Sequence, residues 1–163
     1  MKKVARFLKS RELLVKTWEF PWQDEGHEVK VYSDSDWGGR RGSRKSTSGG
    51  CLMIGNHCIK TWSSTQGAVA LSSAEAEFYA MIEAVIRGKG VVSIMTELGF
   101  NTNDKTALFT DSSAAKSFVS RTGLGKMKHL EIRDLWLQRE VGLGKVLVYI
   151  VEGPRNPADL MTK

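Results

Sequence analysis

The sequence predicts one folded domain of the α/β class, in which a mixed sheet is covered by helices. Three strand-like segments come first, between residues 29 and 63, and helix-like and strand-like segments alternate after them. Hairpin strands pair in antiparallel fashion, and the alternating helices and strands add further strands to the same sheet. The 163 residues are enough to bury one core without disulfides.

Alternation and one turn predict the first three strands. Residues 28–34 alternate apolar and polar side chains and end in Asp34. Further along, Gly55-Asn56 divides the apolar run 51–63 in two, and this dipeptide is typical of a two-residue hairpin turn. A three-stranded antiparallel meander is therefore expected over residues 29–63.

Apolar residues at three- and four-residue spacing predict the longest helix, which follows the meander and ends at Gly99. The later elements are predicted as a strand at 106–111, helices at 112–120 and 129–142, a strand at 145–151 and a helix at 156–163. Residues 28–163 thus form the predicted domain, and residues 1–27 are predicted to be a loosely attached leader.

Composition and charge limit the classes of function. Lys and Arg outnumber Asp and Glu by 24 to 18, and the net charge of +6 favours a polyanionic partner such as nucleic acid. No apolar run approaches the roughly 18 residues of a membrane span, and the basic start lacks the apolar core of a signal peptide. Cys51 and Cys58 lie in apolar runs and are expected to be buried free thiols in a reducing, intracellular compartment.

Acidic residues at the ends of the predicted elements are candidates for a metal site. Asp34 and Asp111 end two strands, Asp159 falls in the first turn of the last helix, and the stretch SSAEAEFYAMIEA supplies helical glutamates. Carboxylates that meet at one sheet edge repel one another unless a cation neutralises them. Oxygen ligands suit Mg²⁺ or Mn²⁺, and two such ions about 4 Å apart promote hydrolysis of a phosphodiester.

Each acid also has a structural alternative that spacing leaves open. Asp36 projects on the same side of its strand as Asp34, so periodicity does not separate the two. Asp111 can accept hydrogen bonds from the start of the next helix, and Asp159 can stabilise the positive end of its own helix. The acids alone therefore do not establish a site.

Six motifs along the chain are specific when they are read together. They are VYSDSDWGG, RKSTSGG, KTWSSTQGAVALSSAEAEFYA, LFTDSSAA, KHLEIRDLWLQRE and NPADLMTK, and they cover residues 29–163. The series resembles the ribonuclease H domain of copia-type LTR-retrotransposon polyproteins. That resemblance implies a ribonuclease H-like fold, a five-stranded mixed sheet with helices on both faces. The leader, residues 1–27, is similar to the segment that connects such a domain to its reverse transcriptase.

The resemblance also implies a set of catalytic acids that bind two Mg²⁺ ions, which Mn²⁺ can replace. These acids are Asp34, Glu77, Asp111 and Asp159. Asp36 is left as a supporting acid. The histidine that many relatives carry before the last Asp is missing here, so either turnover does without it or Glu152 or Arg155 contributes in its place.

The other two glutamates of the long helix have structural explanations. Glu75 follows Ser72 by three residues, the spacing of a capping box. Glu83 precedes Arg87 by four residues, the spacing of a surface ion pair.

The implied activity is an endonuclease that cuts the RNA strand of RNA/DNA hybrids by a two-metal-ion mechanism and leaves 3′-hydroxyl and 5′-phosphate ends. Small polar donors are expected near the RNA 2′-hydroxyls, and cationic or hydroxyl anchors near the second strand. The candidate substrate-binding residues are Ser35, Arg44, Lys45, Ser46, Thr47, Trp62, Ser63, Gln66, Ser112, Ser113, Lys126, Lys128 and Arg155. Trp62 is equally compatible with a place in the core.

The implied partners are RNA/DNA hybrid and the reverse transcriptase domain of the same polyprotein, with no membrane partner. The expected location is intracellular, in a cytoplasmic retroelement particle or in the nucleus. One alternative is a transposase or integrase core, but those end their acid series in a Glu on a late helix rather than in an Asp. A second alternative is a non-catalytic hybrid-binding or tethering domain of a decayed retroelement.

Overall fold

A computed structural model describes residues 19–23, 28–40, 42–102, 104–123 and 135–163. The predicted strands are present in this part of the chain. Their bounds are β1 Val29–Asp36, β2 Thr47–Ile54, β3 His57–Thr65, β4 Thr106–Thr110 and β5 Val146–Ile150.

The strands form one five-stranded mixed sheet in the order β3-β2-β1-β4-β5. The first three pair in antiparallel fashion as a meander, whereas β4 pairs in parallel with β1 and with β5. The turn between β2 and β3 falls at Gly55-Asn56, where Gly55 takes the left-handed conformation with φ of 57°. The fold class and the meander are therefore confirmed.

Three α-helices follow the meander in the described residues: α1 Ser73–Glu97, α2 Ser113–Val119 and α3 Trp136–Gly142. Two short 3-10 helices, Gly153–Arg155 and Pro157–Met161, close the chain.

The last of the predicted helices differs in type from what the sequence suggested. Asn156 accepts a hydrogen bond from the Ala158 amide at 3.1 Å and Pro157 follows it, as predicted, but the helix is a 3-10 helix of five residues. The predicted helix at 129–142 is seen from Trp136 onward, and its first part lies outside the described residues.

Helices cover both faces of the sheet. On one face α1 crosses β1 and β4 so closely that a Cβ at Gly88 would lie 2.9 Å from a Val31 methyl carbon and 2.8 Å from Thr106. On the other face the terminal 3-10 helix packs over Gly49, where a Cβ would lie 2.7 Å from the Thr162 methyl carbon. Gly49 is the antiparallel partner of Asp34, so this second contact lies beside the predicted acids.

The main core lies between α1 and the sheet and continues under α2 and α3. The rings of Phe78 and Phe118 meet edge to face with centroids 4.8 Å apart, which joins α1 to α2. Leu137 of α3 is fully buried, and Gln138 donates to the Phe118 carbonyl oxygen at 2.9 Å. This packing fixes the helices against the sheet and with them the start of α1.

Residues 19–23 are the described part of the predicted leader, and they contact the β2–β3 hairpin. The Gln23 side chain donates to the Ile54 carbonyl at 3.2 Å and accepts from the Asn56 amide at 3.0 Å. The Phe20 ring meets the His57 ring edge to face at 5.3 Å. The domain boundary at residues 27 and 28 stays a prediction. Among the described helices, none is both long enough and apolar enough to cross a bilayer.

Candidate metal centre

Three carboxylates from separate elements converge at one edge of the sheet. Asp34 lies near the end of β1, Asp111 follows β4 directly, and Glu77 lies in the first turns of α1. One carboxylate oxygen from each lies within 4.8 Å of the others. Since β1 and β4 are parallel neighbours, their carboxyl ends meet at the same edge, as the sequence predicted.

Glu77 is held by Ser35, the residue after Asp34. Both the backbone amide of Ser35, at 3.1 Å, and its hydroxyl, at 2.9 Å, donate to Oε1 of Glu77. The second oxygen, Oε2, is buried and has no hydrogen-bond partner in the described part of the chain. A buried carboxylate oxygen without a donor costs free energy unless a cation or a proton neutralises it.

The surroundings raise the pKa of Glu77 to about 8, mainly because the side chain is buried and further because of the charges of Asp34 and Asp111. The hydrogen bonds from Ser35 act in the opposite direction, since they stabilise the ionised carboxylate. At neutral pH and without a cation, Glu77 is therefore mostly protonated.

Asp34 and Asp111 differ in exposure. Asp34 is buried, and the hydroxyl of Thr162 donates to its Oδ2. Asp111 lies at the rim, and its pKa is raised by partial burial of the carboxylate and then by the negative charge of Asp34 and of Asp159. The like charges destabilise one another, which is the electrostatic signature of a cation site.

The donor set fits a hard divalent cation. The cluster offers carboxylate oxygens only, the Glu77 carboxylate carries a buried oxygen without a donor, and the exposure of Asp111 leaves access from solvent. Oxygen-only sites are typical of Mg²⁺ and Mn²⁺.

Asp159, the fourth predicted ligand, lies beside this group. It occupies the terminal 3-10 helix, keeps 33% of its side chain exposed and forms an ion pair with Lys163. The cluster within 4.8 Å does not include it, but its charge reaches Asp111. Its assignment as a ligand stays a prediction.

The remaining acids singled out in the sequence lie in structural contacts. Asp36 accepts a hydrogen bond from the Thr47 amide and so joins the ends of β1 and β2. Glu75 is buried and accepts from the Leu71 amide at 2.8 Å and the Tyr79 hydroxyl at 3.0 Å, while Ser72 caps the helix.

Glu83 forms the predicted ion pair with Arg87 at 2.6 Å, but neither side chain is a freely solvated charge. The Ser64 hydroxyl of β3 also donates to Glu83, at 2.6 and 2.8 Å to its two oxygens. The pair therefore ties α1 to the sheet.

Three of the predicted substrate-binding residues lie inside the protein. Trp62 is 7% exposed, packs on Gly50 and has the Arg87 guanidinium 4.8 Å from its ring centroid. Gln66 donates to the Ser48 hydroxyl and to the Ala76 carbonyl, and the Ser46 hydroxyl accepts from the Gly38 amide at 3.0 Å. Trp62 is thus a core residue, which was the alternative to substrate binding, and Gln66 and Ser46 occupy structural positions as well.

Other predicted contacts lie at or near the protein surface. Arg44, Ser63 and Ser113 are exposed, Lys45 and Thr47 are half-buried, and Arg155 is exposed and pairs with Glu152 at 3.4 Å. The hydroxyls of Ser35 and Ser112 already bond within the protein, to Glu77 and to the Ala115 amide. Lys126 and Lys128 lie outside the described residues. None of these positions establishes a substrate contact.

Sequence reasoning missed Trp37. This side chain is 58% exposed, and its indole N–H donates to the Ala70 carbonyl at 3.1 Å, which fixes the ring against the segment before α1. It lines an open cleft of about 300 Å³ together with Arg44 and Val69. The signal was present in YSDSDW, where an aromatic residue follows the acids directly.

Sequence relatives point to mobile elements. The chain is 29% identical over 136 residues to the "Retrovirus-related Pol polyprotein from transposon RE2" of Arabidopsis thaliana, which covers 83% of this chain and 9% of that protein. It is 29% identical over 138 residues to the corresponding protein of transposon TNT 1-94 of Nicotiana tabacum, covering 83% and 10%. The chain thus spans about a tenth of the length of these relatives.

A shorter relative is the "Secreted RxLR effector protein 161" of Plasmopara viticola, 39% identical over 85 residues, which are 52% of this chain and 57% of that protein. No protein-family model matches the chain.

Solved structures with the same fold are ribonucleases H. The N-terminal RNase H domain of a Mycobacterium tuberculosis protein has a TM-score of 0.51 at 17% identity, covering 83% of this chain and 90% of that one. LC11-RNase H1, solved in complex with an RNA/DNA hybrid, has a TM-score of 0.50 at 13% identity, covering 82% and 93%. The chain therefore has a ribonuclease H-like fold, and its sequence is similar to a part of retrotransposon Pol polyproteins.

Proposed function

We propose that the chain is a ribonuclease H, an endonuclease that hydrolyses the RNA strand of RNA/DNA hybrids and leaves 3′-hydroxyl and 5′-phosphate ends. The observation that carries the proposal is the carboxylate cluster of Asp34, Glu77 and Asp111 on this fold, with a buried Glu77 oxygen that lacks a donor. The similar LC11-RNase H1 was solved with an RNA/DNA hybrid.

In this proposal the cluster and Asp159 hold two Mg²⁺ ions, with Mn²⁺ as a substitute. When bound, such ions activate water and stabilise charge on a phosphate. The chain's own residues prepare the site: Ser35 donates twice to Oε1 of Glu77 while Oε2 has no donor, and Thr162 donates to Asp34. Lys163 forms an ion pair with Asp159 beside the cluster.

The surface around the cluster is compatible with a nucleic-acid duplex. Arg44 is exposed on one side beside the Trp37 ring, and the hydroxyls of Thr61 and Ser63 project from β3 on the face that carries the terminal 3-10 helix. Cationic anchors of this kind make binding dependent on salt. Hydroxyls and an aromatic ring provide contacts to sugars and bases.

The natural context that we propose is reverse transcription of a retrotransposon. The domain would act beside the reverse transcriptase of the same polyprotein, inside the cell, in a cytoplasmic particle or in the nucleus. The relatives that support this context are Pol polyproteins of transposons.

One cleavage assay tests the proposal. Labelled RNA/DNA hybrid, duplex DNA and duplex RNA are incubated with the protein in Mg²⁺ or in EDTA. Asp111→Asn is compared with Asp104→Asn, a control at the opposite end of β4, where Asp104 pairs with Lys145 at 3.2 Å. Cleavage of the hybrid alone, lost in EDTA and in Asp111→Asn but retained in Asp104→Asn, is the expected result.

Two outcomes contradict the nuclease assignment. Hybrid that is bound but never cut points to the non-catalytic tethering domain. Cleavage of duplex DNA in preference to hybrid points to a different nuclease on the same fold. Circular dichroism of each variant separates loss of activity from loss of folding.

A further inference from the structure

The two cysteines touch each other on adjacent strands. Cys51 of β2 and Cys58 of β3 bring their sulfur atoms to 3.6 Å, and neither is in a disulfide. The strands are antiparallel neighbours joined by the Gly55-Asn56 turn, and their register shifts between Leu52 and Met53. In the strand order β3 is at the edge of the sheet, so the pair connects an edge strand to its neighbour.

The two thiols have different surroundings. Cys51 is 4% exposed, and burial raises its pKa to about 12, with a further contribution from the hydrogen bond to Cys58. Cys58 is only half-buried. Cys58 is therefore the more accessible of the two residues, while Cys51 keeps its proton at neutral pH.

We infer that Cys51 and Cys58 form a reversible intramolecular disulfide when the protein meets a hydroperoxide. The Cys58 thiolate attacks one oxygen of hydrogen peroxide, the O–O bond breaks, and Cys58 sulfenic acid and hydroxide result. The Cys51 sulfur then attacks the Cys58 sulfur, the S–S bond forms, and the oxygen leaves as water with the Cys51 proton. Two thiols and one peroxide thus give one disulfide and two waters.

Geometry favours this pairing over a bond between two molecules. The sulfurs need to approach by about 1.6 Å to reach the disulfide length of about 2.05 Å. Cys51 is too deeply buried to meet a thiol of another copy, whereas Cys58 is already in contact with it. The resulting disulfide would link the edge strand β3 covalently to β2. This modification does not depend on nuclease activity.

Peroxide treatment followed by mass spectrometry tests the inference. The protein is oxidised, its remaining thiols are alkylated after denaturation, and the digest is analysed without reductant. The expected product is a monomer with both thiols lost to a 51–58 linkage, restored by dithiothreitol. Its thermal midpoint is expected to lie above that of the reduced protein.

The single variants distinguish the order of reaction. Cys51→Ala is expected to accumulate a sulfenic acid at Cys58 that dimedone traps, whereas Cys58→Ser is expected to leave Cys51 unmodified. Circular dichroism confirms that each variant is folded. Two alkylated thiols after peroxide, a disulfide-linked dimer, or oxidation of Cys51 in Cys58→Ser would each overturn the inference.

Discussion

The contact between Ser35 and Glu77 gives the sharpest prediction about the metal centre. Ser35→Ala removes the hydroxyl that donates to Oε1 of Glu77 at 2.9 Å and leaves the backbone donor at 3.1 Å in place. A hydrogen bond to a charged group contributes about 1.5 to 3 kcal/mol. Because the backbone donor remains, the lower end applies, and about 1.5 kcal/mol corresponds to a roughly tenfold loss of divalent-ion affinity.

The pH dependence of that loss follows from the pKa of Glu77. The Ser35 hydroxyl stabilises the ionised carboxylate, so its removal raises the pKa further above about 8. An ion that binds at neutral pH must displace the proton, and the lost hydrogen bond weakens ion binding in Ser35→Ala because the proton is then harder to displace. The difference in affinity between the variant and the parent is therefore expected to narrow as the pH rises past 8.

Calorimetric titration with Mn²⁺ in the absence of nucleic acid measures this affinity directly. Ser35→Thr, which keeps a hydroxyl, is expected to bind nearly as the parent does. Ser93→Ala, at an exposed position of α1, is the matched control for loss of a serine hydroxyl. The reasoning is refuted if Ser35→Ala binds within twofold of the parent at pH 7 while Glu77→Gln loses binding.

Three further predictions concern the same region. The pKa of Glu77 is raised in the folded state, so in the metal-free protein the contribution of this group to the free energy of unfolding is present below pH 4.5 and is lost as the pH rises through about 8. Thermal midpoints in EDTA should therefore fall over this window, and less steeply in Glu77→Gln. Thr162→Val removes the donor to Asp34 and should lower Mn²⁺ affinity severalfold in calorimetry without unfolding the domain. Trp37→Ala should weaken hybrid binding in Ca²⁺ about tenfold by fluorescence anisotropy, and Trp37→Phe much less, because stacking on an aromatic ring contributes about 1 to 3 kcal/mol.

Each of these predictions has an outcome that contradicts it. A midpoint in EDTA that is flat between pH 5 and 8 would mean that Glu77 titrates near its ordinary value. Unchanged Mn²⁺ affinity in Thr162→Val would mean that the Thr162 hydroxyl contributes to the terminal 3-10 helix and not to ion binding. Equal losses in Trp37→Ala and Trp37→Phe would assign the effect to the indole N–H bond with Ala70, which both variants lack.

The strands were predictable because their signals are local. Alternation between Val29, Val31 and Ser33 and the turn at Gly55-Asn56 are readable without any neighbour, and the sheet contains both as expected. The convergence of Asp34 with Asp111 depends further on β1 and β4 being parallel neighbours, a pairing that the local patterns did not predict.

Burial of two side chains on and after the edge strand β3 was not predictable in the same way. Trp62 alternates along β3 like any strand residue, but its position inside depends on Gly50 across the strand pair and on Arg87 of α1. The sequence likewise indicates a polar loop residue at Gln66, whereas in the structure its side chain is buried and donates to the Ala76 carbonyl. Contacts between distant segments decide both cases.

Three glutamates in α1 show which roles sequence spacing predicts and which it does not. Ser72 caps the helix at the spacing that Glu75 suggested, although the Glu75 carboxylate accepts from Leu71 and Tyr79, and helical spacing correctly paired Glu83 with Arg87. Nothing local distinguishes Glu77, because the residues around its carboxylate come from β1 and from the end of β4, which are distant from it in the sequence. The feature that sets it apart is a pair of donors from Ser35 on one oxygen and none on the other. That asymmetry follows from the end of β1 lying beside the start of α1, so the candidate metal centre is a property of the tertiary fold rather than of the helix that carries its central ligand.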